Sequence, residues 1–334
     1  MKLISVSLPE NPEALALERH GRAYDFAALG KASSIPLPST LAEFLLDTDA
    51  NLARTHQASA WLDEHPGHPE TSVPSRLSPI PHPTSCRDGY AFRQHVETMR
   101  RNRGAEMAPE FDQFPVFYFT NHLAVIGEGP VLVQDDHLVG LDFELELAVV
   151  IGKKGRNIPA KDADDYILGF PVMNDFSART LQTEEMKLSL GPTKGKDFAT
   201  ALGPCLVTRD EMLKIAKPTP HGFQYPLRMA ARHNGKPISE GNAGSMNWTF
   251  AQIIERASYG VDLYPGDVIG SGTVGTGCYA ELNSTAARIA KEKGETSSPT
   301  WLRDGDTIEL EIEGIGILSN RIQRVPAPFS ILKR

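Results

Sequence analysis

The chain has 334 residues, 40% of them hydrophobic and 23% charged, with a formal net charge of −8. Such ordinary globular usage excludes wholesale disorder and a fibrous repeat, and the acidic balance lacks the basic footprint of a nucleic-acid binder. Three separated cysteines, Cys86, Cys205 and Cys278, argue against a disulfide framework and exclude a Cys-x-x-Cys zinc knuckle, which favours a reducing, cytoplasmic setting.

At the N-terminus, Pro9 and Glu10 interrupt any apolar signal core, and nowhere does the chain reach the roughly 20 apolar residues of a membrane helix. Residues 3–6 and 23–26 read as short strands. Residues 14–19 between them are ambiguous, because Ala, Leu and Glu are better helix formers than strand formers. Thr40 with Glu43 three residues later has the form of a capping box, and Leu41, Phe44, Leu45 and Leu52 continue at helical spacing. Pro66, Pro69, Pro74, Pro79, Pro81 and Pro83 then mark a linker or an extended crossing, with a boundary near residue 72. Beyond it, residues 90–103 predict a helix with a basic end, as the macrodipole favours. Strands follow at 116–119, 143–151, 169–173 and 308–318, with a helix at 248–258. Strands without a regular βαβ alternation, and no internal repeat, indicate an α+β fold with a large mixed sheet.

Within the strand predicted over 143–151, Glu144 and Glu146 project to one face, with Phe143, Leu145 and Leu147 opposite. Two carboxylates one pleat apart can grip a hard cation. Glu309, Glu311 and Glu313 alternate equally well and read as a solvated strand, so spacing alone does not decide. The first pair differs in running into Ala148-Val149-Val150-Ile151, a buried-strand pattern, and carboxylates carried into a core need compensating charge. Asn174-Asp175 ends an apolar strand, and Ser177 can cap a helix on which Arg179 and Gln182 share a face; an ordinary turn with a surface arginine fits the same residues. Residues 191–200 are glycine-rich and basic but not a P-loop, and alone read as a surface loop. Gly270, Gly272 and Gly275 match G-x-G-x-x-G, yet no long amphipathic helix and no βαβ unit with its acid follow, which argues against a dinucleotide site. His95, one of ten histidines, alone reads as a helix-surface residue.

Together these segments resemble the fumarylacetoacetase family. Asp88-Gly89-Tyr90 with Arg93-Gln94-His95 is similar to its D-x-Y…R-Q-H segment, and Phe143-Glu144-Leu145-Glu146 to its paired-glutamate strand. Met173 to Arg179 with Gln182, Gly195-Lys196-Asp197-Phe198 and Gly270-Ser271-Gly272-Thr273 match further motifs in the same order. The resemblance implies a mixed β-roll catalytic domain over residues 73–334 and a small N-terminal α+β domain over 1–72, assembled as a homodimer. It implies a divalent cation, Mg²⁺ first with Ca²⁺ or Mn²⁺ as alternatives, held by Asp88, Glu144, Glu146 and Asp175. His95 becomes a base oriented by Glu281, an alignment that needs a short gap after Thr273, and Lys196 joins them as a catalytic residue. Tyr90, Arg179, Gln182 and Thr273 are implied to bind a small diketo acid, while Arg103 matches the family's substrate arginine only after a one-position shift. The implied activity is metal-dependent hydrolysis of a C–C bond in a 1,3-diketo acid of the fumarylacetoacetate or acylpyruvate type, as in aromatic amino-acid catabolism. The alternative is an oxaloacetate-type decarboxylase or keto–enol tautomerase on the same site. Neither nucleic acid nor membrane is an expected partner.

Overall fold

The computed structural model describes residues 1–73 and 75–332. Its frame is a ten-stranded sheet. Arg22–Asp25, Ala14–Arg19 and Lys2–Val6 form one end, Thr200–Thr208, Ile167–Asp175 and Leu145–Ile151 the centre, and Asp267–Gly270, Ser85–Gly89 and Phe117–Thr120 the other end, while the tenth strand, Val125–Ile126, pairs with Thr200–Thr208 off this path. Along this path only Asp267–Gly270 and Ser85–Gly89 pair in parallel. The three central strands are buried at every residue, as their near-continuous apolar runs require.

Both faces of this sheet are covered, by different cores. Leu145, Leu147, Val149 and Ile151 face one cluster with Phe170, Val172, Phe250 and Ile253. Ala148 and Val150 face the other, shared with Met173, Leu202 and Val268 and closed by Leu3, Leu17, Phe44 and Leu62 from the N-terminal segment. That segment joins the sheet through Lys2 opposite Val207 and Leu3 opposite Leu206, and its helices Phe26–Ser33, Leu41–Leu46 and Thr48–Glu64 lie on the second core. Pairing on both edges makes Ala14–Arg19 a strand, since Leu17 stands between Leu3 and Tyr24; tertiary context overrides helix propensity. The proline-rich stretch runs as an extended crossing beside the first strand, with Ser7 N–H donating to Ser75 and Leu77 N–H to Ser5; Pro74 lies outside the described residues.

A second, five-stranded sheet contains Thr307–Ile312 and Gly316–Arg324. The single strand expected over 308–318 is therefore a hairpin, turned by Gly314 and Gly316 at φ 77° and 139°, values a side chain disfavours. Ile308, Leu310 and Ile312 are buried while Glu309 and Glu311 pair with Arg232 at 3.3 and 2.7 Å at the surface, the solvated alternation expected of this strand. Among the described residues, no helix is long and apolar enough to cross a membrane.

Candidate active site

At one end of the large sheet a cleft of about 610 Å³ opens, with Asp88, Glu144 and Lys196 on its wall. Asp88 ends the strand Ser85–Gly89. Glu144 precedes the strand Leu145–Ile151 rather than beginning it, because its N–H donates to Asn174 Oδ1 at 3.0 Å. Glu146 follows on the same strand. Asp88, Glu144 and Glu146 each bring a carboxylate oxygen within 4.8 Å of the others, and all three are buried.

Glycine makes this approach possible. A Cβ on Gly270 would stand 2.5 Å from Asp88 Oδ1 and 2.9 Å from Glu146 Oε2. Gly272, at φ 80°, turns the chain so that its N–H donates to Asp88 Oδ1 at 3.1 Å. The G-x-G-x-x-G pattern thus packs against acids here, not phosphates.

Burial pushes Asp88 up to about 7, with Asp175 and Glu144 acting in the same direction. Glu146 is pushed well up, by burial first and then by Asp88. For Glu144, burial is outweighed by Lys196 and Arg179, which hold it down at about 2. Lys196 Nζ donates to Glu144 Oε2 and, at 2.7 Å, to Asp175 Oδ2; Arg179 Nη2 donates to Glu144 Oε1 at 2.7 Å. Asp175, on the strand Ile167–Asp175, also accepts from Tyr118 OH and is raised by burial against the pull of Lys196. It is not one of the three acids within 4.8 Å of one another, and its Oδ2 is already taken.

These residues fit a bound dication. Among the described residues, Glu146 Oε2 and Asp175 Oδ1 are buried with no hydrogen-bond partner, and the buried carboxylates of Asp88, Asp142, Glu144, Glu146 and Asp175 face the cations Lys196 and Arg179. An all-oxygen donor set suits a hard divalent ion, not zinc.

His95, in the helix Arg93–Asn102, is buried against Glu281, in the first turn of the helix Tyr279–Lys293. The Nδ1 to Glu281 Oε2 distance is 2.6 Å, and the same oxygen accepts from Thr276 N–H at 2.9 Å. A carboxylate accepts and does not donate, so Nδ1 carries a proton, and the neutral form of the ring presents its lone pair at Nε2. His95 lines the cleft, as do Tyr90, Gln182 and Thr273. Gln182 Oε1 accepts from Arg179 at 2.9 Å, leaving its amide N–H₂ to donate, while Thr273 Oγ1 donates to Glu146 at 3.4 Å. Of the expected site residues, eight line the cleft, while Glu146, Asp175 and Glu281 are buried behind it in contact with Thr273, Lys196 and His95 respectively.

Residues 84–323 match the fumarylacetoacetate (FAA) hydrolase C-terminal family. The chain belongs to this family. Oxaloacetate tautomerase YisK of Bacillus subtilis (strain 168) is 31% identical over 299 residues, covering 86% of this chain and 87% of that protein. The mitochondrial oxaloacetate tautomerase FAHD2A of Homo sapiens is 30% identical over 289 residues, covering 86% and 80%. The solved structure of fumarylacetoacetate hydrolase from Exiguobacterium antarcticum, 22% identical, has a TM-score of 0.64 over 97% of this chain and 100% of that one. At that identity it shows the shared fold, an α+β architecture of the fumarylacetoacetate hydrolase type.

Sequence reasoning passed over Tyr118, Asn174 and Asp142, which hold Asp175, Glu144 and Arg179 respectively. Asn174 stands inside the Met173 to Arg179 motif, and Asp142 lies two residues before Glu144, on the same period as the paired glutamates.

Proposed function

We propose that this chain is a metal-dependent keto–enol tautomerase acting on an oxaloacetate-type 2-oxo acid. The carrying observation is His95, its Nδ1 committed to Glu281, on a cleft lined also by Asp88 and Glu144, with Glu146 buried behind them in the same acid cluster. The two tautomerase relatives support that choice of reaction. Asp88, Glu144 and Glu146, with Asp175 beside them, would hold a divalent cation, which would supply Lewis acidity toward a substrate carbonyl.

His95 Nε2 moves the proton between carbon and oxygen, and Glu281 stabilises the imidazolium that forms in passing. Lys196 has three N–H donors, of which Glu144 and Asp175 use two; the third faces developing negative charge on substrate oxygen. Burial opposes the charge on Lys196, but Asp175 and Glu144 outweigh it and raise the ammonium, so it acts as a donor and not as a base. Gln182, its carbonyl turned to Arg179, offers its amide to a substrate carboxylate.

Enol decay of oxaloacetate, followed with and without chelator and in His95→Ala, tests this reading. Metal-dependent acceleration lost in the variant supports it; unaccelerated decay refutes it, and CO₂ release would indicate decarboxylation instead. The size of the cleft favours one further reading, C–C hydrolysis of a 1,3-diketo acid, since about 610 Å³ accommodates a far larger ligand than a four-carbon acid. Two acid fragments formed from an acylpyruvate would establish it.

A further inference from the structure

Asp142 is fully buried on the two-residue strand Leu141–Asp142, paired with Ser177–Ala178. Four donors converge on its carboxylate. Phe143 N–H at 2.9 Å and Tyr279 N–H at 2.7 Å reach Oδ1; Arg179 Nε–H at 2.8 Å and Ala280 N–H at 2.9 Å reach Oδ2. An amide in its place would turn an N–H₂ toward two of these donors, so only an all-acceptor group satisfies the set.

The donors come from the two halves of the site. Arg179 grips Glu144 at 2.7 Å, and Tyr279 and Ala280 open the helix whose next residue is Glu281, the partner of His95. We propose that Asp142 is a positioning residue that holds the cation-binding acids and the His95–Glu281 pair in register from a single point. By sharing Arg179, Asp142 draws off guanidinium charge that would otherwise fall on Glu144, which leaves Glu144 a stronger ligand for a cation. By accepting from the first two N–H groups of the helix, which have no partner within it, Asp142 fixes where Glu281 begins. The kinetic part of this inference rests on the tautomerase reading; the metal-affinity part does not.

The test uses Asp142→Asn in the full chain. Mn²⁺ binding to chelator-treated protein is measured by calorimetry, and kcat and KM for oxaloacetate at saturating Mn²⁺. The expected result is a Kd for Mn²⁺ raised about tenfold or more and kcat lowered about tenfold or more, with KM within about threefold. Arg179→Gln, alone and combined with Asp142→Asn, should give non-additive changes in Mn²⁺ affinity, because both remove one contact. Kd and kcat within about twofold of the unmodified chain, even with a lowered melting temperature, would overturn the proposal and leave Asp142 a purely structural residue. Should Asp142→Asn fail to fold by circular dichroism, Asp142→Glu keeps an acceptor for Arg179 but displaces the helix. It should hold the Mn²⁺ Kd within about threefold while lowering kcat about tenfold, and an unchanged kcat would refute the helix arm. If the unmodified chain does not turn over oxaloacetate, the tautomerase reading falls and the Mn²⁺ titration alone decides the role of Asp142.

Discussion

Removing the dication and changing the pH should expose the cost of gathering these acids. Asp88 is carried from an unfolded value of 3.8 to about 7 in the folded, metal-free chain, and it is fully buried. A carboxyl raised in this way keeps its proton in the folded state while the unfolded chain releases it, so stability falls as pH climbs through that window. The full penalty from Asp88 is about 4 kcal/mol, of which about 1 kcal/mol falls between pH 6 and pH 8. Glu146, also raised, acts in the same direction, whereas Glu144 at about 2 is already ionised throughout. A dication needs these acids deprotonated, so binding at pH 6 must displace the Asp88 proton that is largely gone at pH 8. That costs about tenfold in affinity.

Calorimetry of Mg²⁺ binding at the two pH values, in buffers of different ionisation enthalpy, reads both affinity and protons released. Chemical denaturation with and without chelator reads stability. Asp88→Asn serves as the reference that cancels proton release from every other group. Equal affinity at pH 6 and pH 8 with no proton released would refute the reasoning, because it would mean that the acids are ionised before the metal arrives.

Three further outcomes follow from the geometry. His95→Ala should lower kcat on oxaloacetate by about 10²–10⁴-fold with little change in Mg²⁺ affinity, and Glu281→Gln should do the same more weakly; retained turnover in steady-state assays would remove His95 from the chemistry. Gly270→Ala should weaken Mg²⁺ binding in a calorimetric titration, since its Cβ would fall 2.5 Å from Asp88 Oδ1; native affinity would show that the acids can move aside. Glu311→Gln, facing Arg232 at the surface, should cost under about 1 kcal/mol in denaturant melts and leave metal affinity untouched, in contrast to Glu146→Gln.

The paired glutamates were legible because local pattern and chemistry coincide there. Alternation put Glu144 and Glu146 on one face, and the Ala148 to Ile151 run set them apart from Glu309 and Glu311, which the fold leaves at the surface. The family resemblance brought in His95 and Glu281, 186 positions apart in the chain and joined at 2.6 Å, which no periodicity could have linked. The fold was less legible where tertiary pairing decides. Residues 14–19 are helix formers held as a strand by neighbours on both sides, and 308–318 looks continuous because turn glycines interrupt an otherwise apolar alternation. Asp142 escaped because its role depends on donors from residues 179, 279 and 280, brought to it only by folding.

The two cores explain why acids can be concentrated at this point. Leu145 and Leu147 anchor the paired-glutamate strand in one core, and Ala148 and Val150 anchor it in the other, which the N-terminal segment closes. Glu146 stands between them with no exposed surface, so solvent relaxes neither its charge nor its position. Low polarisability raises the cost of each uncompensated carboxylate and, for the same reason, strengthens each contact with a cation. A strand free to move would let the acids separate and reach water. Fixed between two packed layers, and with Glu144 already engaging Lys196 and Arg179, Asp88 and Glu146 relieve their repulsion by holding protons or by holding a metal. Truncating Phe44 to Ala, far from the cleft but in the second core, should therefore weaken Mg²⁺ binding as well as cost about 3–5 kcal/mol of stability. Calorimetry on the folded variant at low temperature separates the two, and unchanged Mg²⁺ affinity there would show that the acids owe their placement to the sheet alone.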